Sequence, residues 1–135
     1  MRARVASRLV PYRAIEASGW KPAGGECHRN VNRIVAEFPK LSAVRGWIVF
    51  DLDRGSGGLV AVIRFAAHSV VQTKDEQLVD ITPSRGAGRH PFIIHPGAPE
   101  EFQMLVEQRG VAYIDCHAAY QASEFEVLQT RLRHP

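Results

Sequence analysis

A long apolar segment, followed closely by a shorter one, constrains the fold more than any other feature of this sequence. The long segment, LVAVIRFAAHSVVQT at residues 59–73, is rich in β-branched and aromatic residues, which is typical of a strand. The shorter segment, QLVDIT at residues 77–82, has the same character. Because the short polar connection TKDE joins them, the two segments are predicted to pair as an antiparallel hairpin.

Each strand of this hairpin carries a titratable residue within an apolar stretch: His68 in AAHSVV and Asp80 in LVDITP. Burial of such groups is costly unless they are paired, so we expect them to pair with each other. They are directly opposed if the loop is residues 73–75, and diagonal on the same face if it is residues 74–76. A two- or four-residue loop would place them on opposite faces.

Cys27 follows a glycine pair in the stretch GGECHRNV, at the start of a predicted helix that Pro39 should end. The unpaired N–H groups and positive dipole of a helix N-terminus favour the thiolate, as a nucleophile requires. Free cysteine is also commonly a small core residue, so the position is compatible with packing as well. The core-facing stripe of this helix is Cys27, Val31, Ile34, Val35 and Phe38.

The remaining pattern predicts an α+β fold, in which the helix packs on an antiparallel sheet. VRGWIVFDL at residues 44–52 predicts a strand that completes a meander with the hairpin. Beyond Pro83, a segment rich in glycine and proline predicts a long loop around a short apolar piece, residues 92–94. The later elements are a helix at 99–110, a strand at 111–116 and an amphipathic helix at 123–133.

The length of 135 residues, 45% of them hydrophobic, suits one domain, 1–135, with its own core. No signal peptide or membrane span is expected, since Arg8 interrupts the N-terminal apolar stretch and no long apolar run follows. Two cysteines without C-x-x-C spacing indicate free thiols and a cytoplasmic location.

The net charge of +3 comes with 14 arginines and 3 lysines, and arginine is the residue of phosphate and nucleic-acid contacts. Because these arginines are scattered from Arg2 to Arg133 without a long basic run, a dispersed solvated surface is expected in place of a nucleic-acid interface. The sequence carries no indication of oligomeric state.

Cys27, His68 and Asp80 together have the composition of an activated nucleophile. The carboxylate would orient the imidazole, and the imidazolium with the helix end would hold the cysteine as thiolate. Backbone N–H groups at the helix start could stabilise an oxyanion. This arrangement suits attack on an amide, ester or thioester carbonyl through a covalent acyl-enzyme.

These residues resemble the Cys-His-Asp core of the papain-like and transglutaminase-like superfamily, whose members carry the cysteine at a helix start and the histidine and acid on adjacent strands. The sequence is also similar to a set of small uncharacterised bacterial proteins. The resemblance covers residues 24–96 and implies that they hold the catalytic core. The shared motifs are Cys27-x-x-Asn30-Val31, Gly46-Trp47, His68-x-Val70 and Val79-Asp80-x-Thr82-Pro83.

The resemblance implies a papain-like or transglutaminase-like α+β core and a cysteine hydrolase or acyltransferase that acts without a cofactor on a small molecule or peptide. Papain-type members place a glutamine shortly before the cysteine for the oxyanion hole. Residues 18–26 contain none, and Trp20 and Lys21 are the candidates there. Transglutaminase-type members usually carry an aromatic residue soon after the histidine, where this chain has Ser69, Val70 and Val71.

Four further residues are candidates for substrate binding. Asn30, one helical turn after Cys27, could bond substrate or the preceding loop, or lie on the helix surface. Trp47 could be a substrate platform or a core residue. His90 and His95 flank the apolar piece PFII and could line a cleft or lie in solvent.

Two other functions compete with the triad. The dipeptides Cys27-His28 and Cys116-His117 offer thiolate and imidazole, which suit zinc. Neighbouring residues on a helix point in different directions, however, and neither pair has convergent spacing, so no metal is predicted. In a non-catalytic interaction module with a degenerate papain-like core, His68 and Asp80 would be a buried structural pair.

Overall fold

The computed structural model describes residues 7–51, 60–84, 90–119 and 123–133, and over these the α+β class is confirmed. The elements are α1 (Cys27–Glu37), β1 (Ser42–Asp51), β2 (Val60–Gln72), β3 (Leu78–Val79), β4 (Phe92–Ile94), α2 (Pro99–Gln103), β5 (Tyr113–Ala119) and α3 (Glu124–Arg133). A five-stranded antiparallel sheet has the order β3-β2-β1-β4, and β5 also pairs with β2. A π-helical turn, Met104–Gln108, continues α2.

Several predicted positions lie outside the described residues, namely Leu52, Leu59 and residues 85–89 of the predicted loop. Within the described ranges, none of the helices has the length and apolar character needed to cross a membrane.

The chain divides into two compact units. The first consists of Met1–Arg8, Gly46–Ala67 and His90–Pro135, and the second of Leu9–Arg45 and His68–Arg89. Each unit has its own apolar core.

In the second unit, α1 packs its apolar face on β2 and β3. Val31 and Ile34 are fully buried against a cluster of Ala17, Val71, Val79 and Ile81. The prediction that Phe38 continues this face was wrong. Phe38 lies beyond the helix in extended backbone and is 42% exposed, because the residue before a proline is sterically disfavoured from helical geometry.

The connection between β2 and β3 has one of the two geometries that place His68 and Asp80 on the same face. Val71 lies opposite Val79, and the Thr73 N–H donates to the Gln77 carbonyl at 2.9 Å, so the loop is residues 74–76. Continuing this register makes His68 and Asp80 diagonal neighbours.

The strand predicted to contain Asp80 is shorter in the structure, where β3 ends at Val79 and Asp80 follows it. From there the backbone turns to a different partner. Asp80 forms a parallel bridge with Tyr12, in which the Asp80 N–H donates to the Pro11 carbonyl and the Arg13 N–H donates to the Asp80 carbonyl, both at 2.9 Å. The backbone of Asp80 is therefore held by the segment that precedes α1.

In the first unit, residues 92–94 form strand β4 and not a piece of loop. They pair with β1 around Gly46, where an added Cβ would lie 2.2 Å from the Ile93 carbonyl oxygen. This close approach requires glycine. The core of the unit comprises Trp47, Val49, Ile63, Phe65, Ile93, Phe102, Cys116 and Leu128.

Replacing Ile34 by alanine is expected to lower the free energy of unfolding by about 2–5 kcal/mol, because it opens a cavity between α1 and the hairpin. Urea denaturation followed by circular dichroism measures this change. The matched control is Leu9→Ala at a side chain that is 60% exposed, where the effect should stay within about 0.5 kcal/mol. Equal losses in the two variants would contradict the packing described.

Candidate active site

The first candidate residue, Cys27, is the first residue of α1. Glu26 precedes it without a side-chain cap, and the first intrahelical bond runs from the Asn30 N–H to the Glu26 carbonyl. The N–H groups of Cys27 and His28 therefore precede the helical ladder, as at every helix start. The thiol is half-buried and still accessible.

Asn30 fixes the entry into this helix. Its side chain, 1% exposed, donates to the Ala23 carbonyl at 2.8 Å and to Thr82 Oγ1 at 3.0 Å, and its Oδ1 accepts from the Ala23 N–H at 3.1 Å. Of the three roles considered for Asn30, the structure shows hydrogen bonding to the preceding loop. The amide ties the loop before Cys27 to the chain beyond Asp80.

His68 and Asp80 form a close pair. The His68 Nε2–H donates to Asp80 Oδ2 at 2.7 Å, and the other carboxylate oxygen accepts from the Thr82 N–H at 3.0 Å. His68 also hydrogen-bonds Cys27. Since Asp80 engages Nε2, the ring nitrogen available to the thiol is Nδ1. The imidazole thus lies between carboxylate and sulfur, in the order that a Cys-His-Asp triad requires.

The electrostatics of Cys27 and His68 favour an ion pair between the two side chains. Burial raises the pKa of Cys27, but hydrogen bonds from His28 and His68 and attraction to the charge of His68 outweigh burial and lower the pKa to about 6. Burial lowers the pKa of His68, but hydrogen bonds to Asp80 and Cys27 and the charges of both raise it to about 9. Thiolate and imidazolium therefore coexist around neutral pH.

A second histidine, His28, contacts the thiol and was not among the predicted site residues. His28 hydrogen-bonds Cys27, and its Nδ1 lies 2.6 Å from Ser69 Oγ. Arg45 donates to the same hydroxyl at 2.6 Å and also to Asn32 Oδ1. Neighbouring helix positions were expected to diverge, but the first turn of α1 leaves His28 within reach of the thiol. The adjacency of Cys27 and His28 was the only available signal.

Three other candidates belong to the first unit. Trp47 and His95 are buried, with exposures of 0% and 7%, and their role as substrate contacts stays a prediction. The Trp47 Nε1–H donates to His95 Nδ1 at 3.1 Å, and both rings pack on Phe102. His90 is exposed, and its ring centroid lies 4.2 Å from that of Phe50.

The residues proposed for zinc do not form a site in the part of the chain that the structure describes. There, no three histidine, cysteine or acidic side chains form a group that could hold a metal ion. Cys116 belongs to the other unit, where burial raises the pKa of its thiol.

Comparison of this chain with models of protein families, with curated proteins and with solved structures finds no match. The interpretation of the site therefore depends on its own geometry.

Site-resolved alkylation with iodoacetamide and mass spectrometry should show Cys27 titrating near pH 6, with Cys116 labelled slowly. His68→Ala should raise the pKa of Cys27 by about 1 to 3, because it removes a hydrogen bond and an opposite charge. The control His117→Ala changes an exposed histidine of the first unit and should leave the titration unchanged. A thiol that titrates at its ordinary value in the wild type would contradict the ion pair.

Asn30→Ala should lower the free energy of unfolding by about 1–3 kcal/mol, because it leaves the backbone of Ala23 and the hydroxyl of Thr82 without their partner. Thermal or urea denaturation measures the loss. Gln77→Ala removes an exposed amide of similar size and should cost less than about 0.5 kcal/mol. The described role of Asn30 fails if the two variants are equally stable.

Proposed function

We propose that this protein is a cysteine-dependent hydrolase or acyltransferase that acts on an amide, ester or thioester through a covalent acyl-enzyme. The observation that carries the proposal is the position of His68, bonded through Nε2 to Asp80 and hydrogen-bonded to the thiol of Cys27. A buried structural His-Asp pair would need no accessible cysteine. Here the thiol is at a helix start, half-buried, with its pKa lowered to about 6.

In the acylation step, the Cys27 thiolate attacks the carbonyl carbon of the substrate and forms a C–S bond. The carbonyl electron pair moves to oxygen, and the backbone N–H of Cys27 is one donor for this oxyanion. As the tetrahedral intermediate collapses, the bond to the leaving group breaks. The His68 imidazolium transfers its Nδ1 proton to the leaving nitrogen, oxygen or sulfur.

In the deacylation step, neutral His68 accepts a proton from water or from an acceptor nucleophile. That nucleophile attacks the thioester carbon, and collapse of the second tetrahedral intermediate returns the electron pair to sulfur. Water gives hydrolysis, and an amine or alcohol gives acyl transfer. Asp80 keeps Nδ1 directed at the reaction and stabilises the protonated ring, and it keeps its own charge throughout.

Three features of the second unit support a papain-like or transglutaminase-like core: the cysteine starts a helix, the histidine lies on a strand, and the acid comes directly after the adjoining strand. We extend the proposal to this superfamily, to a cytoplasmic location and to a small molecule or peptide as substrate.

Acylation by p-nitrophenyl acetate tests the proposed function. We expect a burst of about one nitrophenolate per chain and an acetyl group on Cys27 in the intact mass. The rate constant should follow a bell-shaped pH profile with limbs near 6 and 9, because the thiolate forms above the first value and His68 loses its proton above the second.

Variants separate this reaction from incidental thiol chemistry. Cys27→Ala should abolish the burst, whereas Cys116→Ala, the matched removal of the other thiol, should retain it. His68→Ala should lower the acylation rate about 10²–10⁴-fold. A burst that survives in Cys27→Ala, or its absence from the wild type, would refute the proposed enzyme.

A further inference from the structure

The hydroxyl of Ser69 decides which nitrogen of His28 carries a proton. Ser69 is fully buried, and among the described residues the partners of its hydroxyl are Arg45 at 2.6 Å and His28 Nδ1 at 2.6 Å. A guanidinium can only donate, so Ser69 Oγ accepts from Arg45. A buried hydroxyl proton needs an acceptor, and His28 Nδ1 is the group able to accept it.

The direction of these bonds sets the tautomer of His28. Since Nδ1 accepts from Ser69, its lone pair is occupied and the ring proton belongs on Nε2. Arg45 is itself held through its second nitrogen by Asn32 Oδ1. The chain Asn32, Arg45, Ser69 and His28 therefore presents one fixed N–H donor, Nε2–H, to the sulfur of Cys27.

We propose that His28 is a catalytic residue whose Nε2–H donates to the substrate oxyanion, and that Ser69 and Arg45 are positioning residues that fix its tautomer. The inference rests on the proposed function. The oxyanion forms on an oxygen two bonds from Sγ, so a donor that bonds the sulfur in the resting site lies close to the position of this oxygen in the tetrahedral intermediate.

The two histidines then have different tasks because their partners differ. His68 faces a carboxylate, which stabilises its protonated form and suits proton transfer. His28 faces a hydroxyl held by a guanidinium, which keeps Nδ1 an acceptor and suits a fixed donor.

The side-chain donor expected before the cysteine is absent from this sequence, and the two candidates there are engaged elsewhere. Lys21 Nζ lies 3.2 Å from Glu16, and Trp20 packs on the core of its unit beneath the guanidinium of Arg33. His28, on the other side of Cys27 in the sequence, supplies a donor to the same sulfur. It thereby fills the role left open by the missing glutamine.

Two reactions of the same thiolate test this assignment. Iodoacetamide is displaced at a saturated carbon and forms no oxyanion, whereas p-nitrophenyl acetate forms one. Second-order rate constants for both reagents are measured from about pH 5 to 8 on the wild type, His28→Ala, His28→Gln, Ser69→Ala and the control His117→Ala. Circular dichroism checks that each variant is folded.

The ratio of acylation to alkylation reports oxyanion stabilisation separately from thiolate formation. His28→Ala should lower this ratio about 10²–10³-fold, and His28→Gln should restore much of it because its amide still donates. Ser69→Ala should give an intermediate loss, since both tautomers become available. His117→Ala should change nothing.

Three results would overturn the inference. Equal decreases in alkylation and acylation for His28→Ala would limit His28 to stabilising the thiolate. An unchanged ratio in a folded His28→Ala variant would remove His28 from the reaction altogether. A wild type that is alkylated near pH 6 but never acylated would refute the proposed function itself, and this inference with it.

Discussion

The requirement that a buried histidine find a charged partner governs the second unit. His68 lies near the end of a mostly apolar strand, and its imidazole would be costly to bury alone. The turn at residues 74–76 sets a register that places Asp80 diagonally across from it. The bridge to Tyr12 and the bond from the Thr82 N–H then hold the carboxylate in place.

The helix start depends on a second buried polar group. Asn30 satisfies both backbone groups of Ala23 and also bonds Thr82, so one amide connects the loop before Cys27 with the chain just after Asp80. Cys27 and Asp80 are thus connected by the scaffold as well as by His68. This arrangement suits a reaction in which small displacements of the thiolate are costly.

In the first unit, a buried histidine is paired with a tryptophan. The indole N–H of Trp47 donates to His95, and both rings pack against Phe102. Burial of a tryptophan usually requires such a partner for its N–H. His95 therefore supplies the hydrogen-bond acceptor that the buried indole N–H requires. Its position in the sequence, directly after the apolar strand β4, did not indicate this role.

The sequence by itself predicted the α+β class, the helix that starts at Cys27, and the pairing of His68 with Asp80. These predictions were possible because strand alternation and helical periodicity are local properties of the sequence. Only the tertiary structure decided which of two registers the hairpin adopts and that residues 92–94 form a strand. It also brought Ser69 and Arg45 to His28. Those outcomes depend on contacts between residues that are distant in sequence. A buried hydroxyl or carbonyl must form a hydrogen bond, but the local sequence pattern does not determine which distant residue is its partner.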